Sequence, residues 1–375
     1  SDLKEIDVSE NPNFVFVDGV LMDREQTQII YSDASKKGDY SIPNTVSTIH
    51  TAAFGGCQNL KSISIPNSVK EIGDDAFLFC SGLTSVVIPG SVTSIHKFSF
   101  FCCGCLKSVS LPTSITAIGD HAFSDCNHLT SIAIPDSVKE IGDSAFRGCK
   151  SLTSITIPGS VEVLGASLFC GCDKLSEVRV VEATYFKVID DVLFNREMTR
   201  LIWCSSEKSG SFEIPSTVKI IDSGTFYKRE KLTSMTITDN IAKIAAWGFS
   251  HCSGLKIVVI PCSVASIGIE AFSYCSALTS VILPDSITVI RSGTFQHCPK
   301  LASVILPSFL ILIETRAFFG CSSLEAIEIP KSVTEIGRES FSECYNLRTA
   351  FVPNGVMYSS DTFPSDTEII IPKVD

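Results

Sequence analysis

Sixteen cysteines and six histidines give this 375-residue chain its widest chemical options. Thiolates serve as nucleophiles, disulfide partners and zinc ligands. Imidazoles bind metals and move protons near neutral pH. Spacing selects among these uses. Eleven cysteines, at 57, 80, 103, 126, 149, 172, 252, 275, 298, 321 and 344, occupy one repeating position, each three residues after a Phe. A residue recurring once per coil forms a ladder, and a free Cys there behaves as a small buried hydrophobe. Five cysteines lie off the ladder: 102, 105, 170, 204 and 262. A zinc site needs four ligands in tetrahedral geometry. The Cys102-Cys103-Cys105 cluster and the Cys170-x-Cys172 pair lie three repeats apart, so neither a metal nor another cofactor is expected. The histidines (50, 96, 121, 128, 251, 297) read as scattered positions of the repeat. No G-x-S-x-G, P-loop or H-E-x-x-H motif occurs, and the Ile-Gly pairs such as Ile141-Gly142 are turn glycines. No enzymatic activity is expected.

The elements that position these residues follow from the period. Phe recurs every 23 residues from 54 to 169 and again from 226 to 341, and Leu follows each Phe by six residues. One unit reads Ala145-Phe146-x-x-Cys149-x-x-Leu152-x-Ser154-Ile155-x-Ile157-Pro158-x-x-Val161-x-x-Leu164. Leu152, Ile155 and Ile157 give the L-x-x-L-x-L strand pattern of a leucine-rich repeat. Ile155 and Ile157 point to one side, Ser154 and Thr156 to the other. Pro158 ends the strand because it has no N–H for the ladder. The return limb has a spacing suited to a tight turn or a short helical or 3-10 turn. A unit this small cannot bury its own apolar face, whereas stacked units can. The expected fold class is a leucine-rich-repeat solenoid, a horseshoe or arc, mostly β, with a parallel sheet on its concave face.

A longer repeat overlies this one. Asp18-Gly19-Val20-Leu21 through Tyr31 recurs in the middle of the chain as Asp190-Asp191-Val192-Leu193 through Trp203. Each copy reads as a hairpin around a polar turn. One elongated solenoid over 1–375 is expected. It divides into an N-terminal hairpin cap (1–50), six repeats (51–180), a hairpin insertion (181–214), six repeats (215–358) and a C-terminal cap (359–375).

The unit AFxxCxxLxSIxIPxSVxxIG and the DGVLxxREQTxII spacer resemble the BspA-like leucine-rich repeats, over about residues 14–372. The resemblance implies secreted or surface-attached proteins of host-associated bacteria and some parasitic protists. It also implies adhesin-like binding of host matrix or plasma glycoproteins, or of microbial proteins. Residue 1 is Ser, so a signal peptide or anchor is expected outside this chain. The free thiols favour a reducing compartment instead, so an intracellular scaffold stays open.

Net charge −11 and the lack of a basic block argue against nucleic acid as a partner. No apolar run reaches the roughly 18–20 residues that span a bilayer. Binding is expected on strand residues pointing away from the core, eight and ten residues after each Phe, with the proline column beside them. The N-terminal half is small and mostly polar there. The C-terminal half places Ile257, Val259, Ile282, Ile305 and Phe351 in a near-continuous row, with Glu328 interrupting. Such a row, if exposed, marks a protein contact, although β-branched residues also simply suit strands. The expected function is therefore non-enzymatic protein binding, the alternative a structural spacer without a ligand.

Overall fold

The computed structural model describes residues 6–8, 10–182 and 184–372. Residues 1–5, 9, 183 and 373–375, parts of the expected caps and insertion, lie outside the described residues. The chain falls into two compact units, Ser1–Val188 and Ile189–Asp375. Each is a parallel β-solenoid whose successive coils pair one sequence period apart, as Ser85 does with Ser108 and Ser280 with Ser303.

In the first unit, Lys37–Ser41, Asn59–Ser64, Ser85–Val87 and Ser108–Ser110 form one parallel sheet. Ser154–Ile157 pairs likewise with Glu177–Val180. In the second unit, Gly210–Glu213, Leu232–Thr236 and Ile257–Val259 pair in parallel. So do Ser280–Ile282 with Ser303–Ile305, and Ala326–Glu328 with Thr349–Phe351 and Glu368–Ile370. Alternation sets what each strand buries: Val281 is enclosed while Ser280 and Ile282 face outward.

On the return limb the tight-turn alternative holds and the helical one does not. Among the described residues the limb contains no helical or 3-10 turn. It carries two-residue strands that stack in parallel, as Ser94–Ile95, Ala117–Ile118, Glu140–Ile141 and Val163–Leu164 do. The reason lies in the backbone. The residues two before and two after every repeat Phe have left-handed φ, as at Phe98 (54°), Cys102 (57°), Trp247 (55°) and Tyr274 (58°). Two left-handed residues within five prevent a continuous right-handed turn. They aim the backbone amides along the stack, so that Phe100 N–H donates to Ala122 O and Cys102 N–H to Ser124 O, both one coil on. Cross-coil bonding offsets a local cost of roughly 1–2 kcal/mol per left-handed residue.

Between those two residues the Phe turns inward. Phe54 to Phe169 form a ring stack in the first unit, with centroids 5.2–6.1 Å apart and planes within 14°. Phe226 to Phe341 form the equivalent in the second, and Phe363 extends it by one ring at 5.1 Å. Burying each ring contributes roughly 1.5–3 kcal/mol. The Cys column is buried, as its ladder position predicts, and has a second role. From the second coil of the stack each column thiol donates to the carbonyl of the Phe in the preceding coil, as Cys80 does to Phe54 at 3.1 Å, Cys126 to Phe100 at 3.2 Å and Cys252 to Phe226 at 3.0 Å, while Cys57 in the first coil reaches Ser32 Oγ and Asp33 O. These Phe carbonyls lie in the interior and need a donor. At the one exception to the column, the buried Arg229 takes over. Its Nε donates to Cys204 O at 2.7 Å and its Nη1 to Tyr227 O at 2.8 Å.

The two longer repeats start the two units in the same way. Val20–Asp23 pairs antiparallel with Gln28–Ser32, as Val192–Asn195 does with Arg200–Cys204. The polar residue ending each first strand holds the turn. Asp23 Oδ1 accepts from Thr27 N and Gln28 N, and Asn195 Oδ1 accepts from Thr199 N and Arg200 N. A buried lysine clamps each hairpin, Lys36 to Asp18 and Lys208 to Asp190. The hairpin joins the first coil through His50–Gln28 in one unit and the bidentate Arg200–Asp222 pair in the other.

Candidate functional site

All six predicted residues face outward on the strands of the second unit. Ile257 and Val259 lie on one strand and are 57% and 56% exposed; Ile282 and Ile305 reach 64% and 54%. Ile282 stands directly opposite Ile305. Val259 follows Thr236 in the same column, and the strand carrying Val259 neighbours the one carrying Ile282. Glu328 pairs with Phe351. Ile370 then pairs with Phe351 and lengthens the column, a continuation hidden in sequence because the last segment breaks the period. The prolines expected beside these columns are half-buried or buried from Pro261 to Pro353, and Pro372 after the last strand is exposed.

The first unit presents a different surface. Ser64, Ser110, Ala133, Thr156 and Arg179 occupy the same column there, with Val87 the one large apolar side chain. The fold is shared and the outward side chains are not.

Other chemistry is muted. None of the sixteen cysteines forms a disulfide. Burial pushes the thiols of Cys204, Cys252 and Cys344 up to about 12, so they stay protonated and non-nucleophilic at neutral pH. Cys105 and Cys262 are exposed, Cys102 half-buried. Among the described residues no three His, Cys, Asp or Glu side chains come together to hold a metal ion, and no helix is long and apolar enough to cross a membrane.

Sequence reasoning missed the return-limb edge of the second unit. His251 and His297 share the column two residues after the Phe with Tyr274, and the three rings stack. Centroids are 4.4 Å apart for His251–Tyr274 and 4.6 Å for Tyr274–His297. The signal was the spacing of these residues from the Phe column, legible once both histidines are counted from the Phe that precedes each.

Comparison with known proteins agrees with this architecture. The family described as BspA type leucine rich repeat region (6 copies) matches residues 30–128, 95–209, 197–308 and 266–370. No curated protein matches the sequence. Among solved structures, a leucine rich cell surface protein from Faecalibacterium prausnitzii A2-165 is 28% identical with TM-score 0.65, the match covering 90% of this chain and 94% of that one. A leucine-rich repeat protein from Eubacterium ventriosum ATCC 27560 is 21% identical with TM-score 0.57, covering 94% and 96%. The pneumococcal vaccine antigen PcpA is 19% identical with TM-score 0.51, covering 93% and 83%. These last two share the fold. With the family's repeat matched from residue 30 to residue 370, the chain belongs to the BspA-type leucine-rich-repeat family.

Proposed function

We propose that this chain is a non-enzymatic protein-binding module, secreted or held at a cell surface, that grips protein ligands with the strand face of its second unit. The observation that carries this reading is the exposed apolar column Val259, Ile282, Ile305 and Phe351, with Ile257 beside it. Solvent-exposed isoleucines aligned across coils are costly to leave in water, and covering each contributes roughly 1.5–3 kcal/mol. Contiguous patches of this kind mark contact surfaces. Glu328 breaks the row with a charge and would set register against a basic group on the partner. The surface location draws support from the leucine rich cell surface protein of Faecalibacterium prausnitzii, and adhesin-like use follows from the family resemblance.

The test is direct binding of the purified chain to a panel of immobilised host matrix and plasma glycoproteins, beside the variant Ile282→Asp/Ile305→Asp. Both positions are exposed, so the variant is expected to fold normally. Saturable binding that the variant loses supports the reading. Binding that the variant keeps in full would refute the assigned face. A second reading, a spacer holding other domains at a distance, is favoured for the first unit by its small, polar column of Ser64, Ser110, Ala133 and Thr156. Failure of the folded chain to bind any panel member would extend that reading to the whole chain.

A further inference from the structure

Three phenylalanines of the first unit lie outside the buried ring stack, on the return limb. Phe79 stands two residues after its repeat Phe, where three other coils carry Gly56, Gly148 and Gly171. Phe98 stands two before, where the first coil has Ala52, and Phe101 one after, where the first coil has Gly55. The rings form a row across successive coils. Phe101 is edge-on to Phe79, with centroids 5.7 Å apart, and to Phe98, at 5.5 Å. His121, one coil on, stacks against Phe98 at 4.7 Å. Phe79 is 46% exposed, and Phe98 and Phe101 are half-buried. The core does not call for them, since Phe77 and Phe100 already fill it. The backbone opposes them too, with left-handed φ at Phe79 (58°) and Phe98 (54°).

One ring face in this row is open. His121 takes one side of Phe98, and Phe101 meets Phe79 from the following coil. The preceding coil offers Phe79 only small residues. Gly56 occupies the same position there and bonds through its N–H to Leu78 O. A Cβ at Gly56 would meet nothing within 4 Å, so the space beside Phe79 is unfilled. The aromatic coils therefore rise as a step above the Ala52–Gly56 turn. Asp75, the other left-handed residue of the Phe79 coil, stands on the same step.

Charge on the step has one sign. The four turns 50–59, 73–82, 96–105 and 119–128 carry four aspartates, at 74, 75, 120 and 125, against one lysine, Lys97. Lys97 is committed to Asp74 at 3.5 Å. Asp75 has no hydrogen-bond or ion-pair partner among the described residues. Partial burial raises its carboxyl above the ordinary value and the Asp74 charge adds to this, with Lys97 in opposition. A partly desolvated, unpaired carboxylate is relieved by an incoming cation. The same excess of aspartate disfavours nucleic acid and anionic lipid.

We infer that this step docks a protein segment presenting an arginine or lysine between apolar side chains, on a surface separate from the strand face. The cation lies on the open face of Phe79 and pairs with Asp75. Its apolar neighbours cover Leu78 and Phe101, the largest apolar residues beside it.

Selection from a random peptide library displayed on phage tests this. The bait is the full chain carrying Ile282→Asp/Ile305→Asp, so that the strand face does not contribute. Phe79→Asn and Asp75→Asn are made in that background, because Asn tolerates the left-handed backbone. Asp75→Asn removes a charge and no packing, so a loss there does not come from unfolding. The expected result is recovery of peptides with Arg or Lys flanked by apolar residues. A synthetic copy of the commonest peptide should bind each variant about tenfold or more weakly than the bait, a loss of roughly 1.4 kcal/mol. Recovery no better than with the Phe79→Asn chain would overturn the proposal. So would recovered peptides that are acidic or uncharged, or binding that either variant leaves unchanged.

Discussion

Raising the pH should unfold this protein through its own core. The second unit buries five thiols whose ionisation the fold opposes, chiefly by desolvation. Cys204, Cys252 and Cys344 are pushed to about 12, and burial raises Cys275 and Cys321 well above the ordinary thiol value. In the first unit, burial raises Cys80, Cys103, Cys126 and Cys149 in the same way. The sign follows from linkage. Below the ordinary thiol value of 9.0, folded and unfolded chains are both protonated, and the thiols' contribution is fully present. Above it the unfolded chain loses protons that the folded chain keeps, so stability falls until the folded thiols themselves titrate, at about 12 and beyond. Each thiol then costs about 1 kcal/mol per pH unit. At about pH 10 the five thiols of the second unit remove on the order of 5 kcal/mol, and the four of the first slightly less, against a typical domain stability of about 5–15 kcal/mol. Urea unfolding followed by far-UV circular dichroism, in reductant from neutral pH to about pH 10.5, measures this slope. Cys252→Ala supplies the control. It loses the bond to Phe226 O and costs roughly 1–2 kcal/mol at neutral pH, but its pH slope above 9 should be shallower by one thiol. A urea midpoint that does not move between about pH 8 and about pH 10 would refute the reasoning, as would a Cys252→Ala slope equal to the parent's.

Two further outcomes follow from burial and backbone. At neutral pH a thiol reagent followed by mass spectrometry should label Cys105 and Cys262 first and Cys102 more slowly, leaving the ladder cysteines untouched until denaturant is added; rapid native labelling of Cys126 would contradict the packing. Glu343→Gly relieves a left-handed residue (φ 60°) on the surface and should stabilise by about 0.5–1 kcal/mol, whereas Gly268→Ala places a Cβ 2.4 Å from Ala246 N and should destabilise by about 2 kcal/mol or more, both read from urea midpoints.

Much of this fold was legible because the period exposes it. The regular recurrence of Phe, Cys and Leu places those side chains in one interior, and alternation within the strand sets Ile282 opposite Ile305 and both outward. The hairpins were legible because the segment from Asp18 to Tyr31 returns as Asp190 to Trp203. The return limb was not. Its left-handed positions hold Phe79, Trp247, Tyr274 and Arg316, residue types with no intrinsic preference for that backbone. The bonds that impose it run between coils, beyond the reach of local propensity. The thiol-to-carbonyl bonds were hidden for the same reason, since donor and acceptor lie in successive coils and one of them is main chain.

The coil separates stability from recognition by direction. Inward columns are nearly uniform because every coil meets the same neighbours: a Phe under a Phe, a thiol under a carbonyl. Replacing Cys at 229 required a donor, and Arg229 supplies one to Cys204 O. Outward columns carry no such constraint. Replacing Ser110 by Ile at the equivalent strand position, as at Ile282, changes no core contact, so binding character can differ between the units while the stack persists. Each outward position recurs once per coil, so a recognition surface here is necessarily a row. The Ile282–Ile305 pair on the strand face and the His251–Tyr274–His297 stack on the return limb are two outward rows. A change of ligand in this family therefore requires substitutions spaced one full period apart, in register, and none in the core.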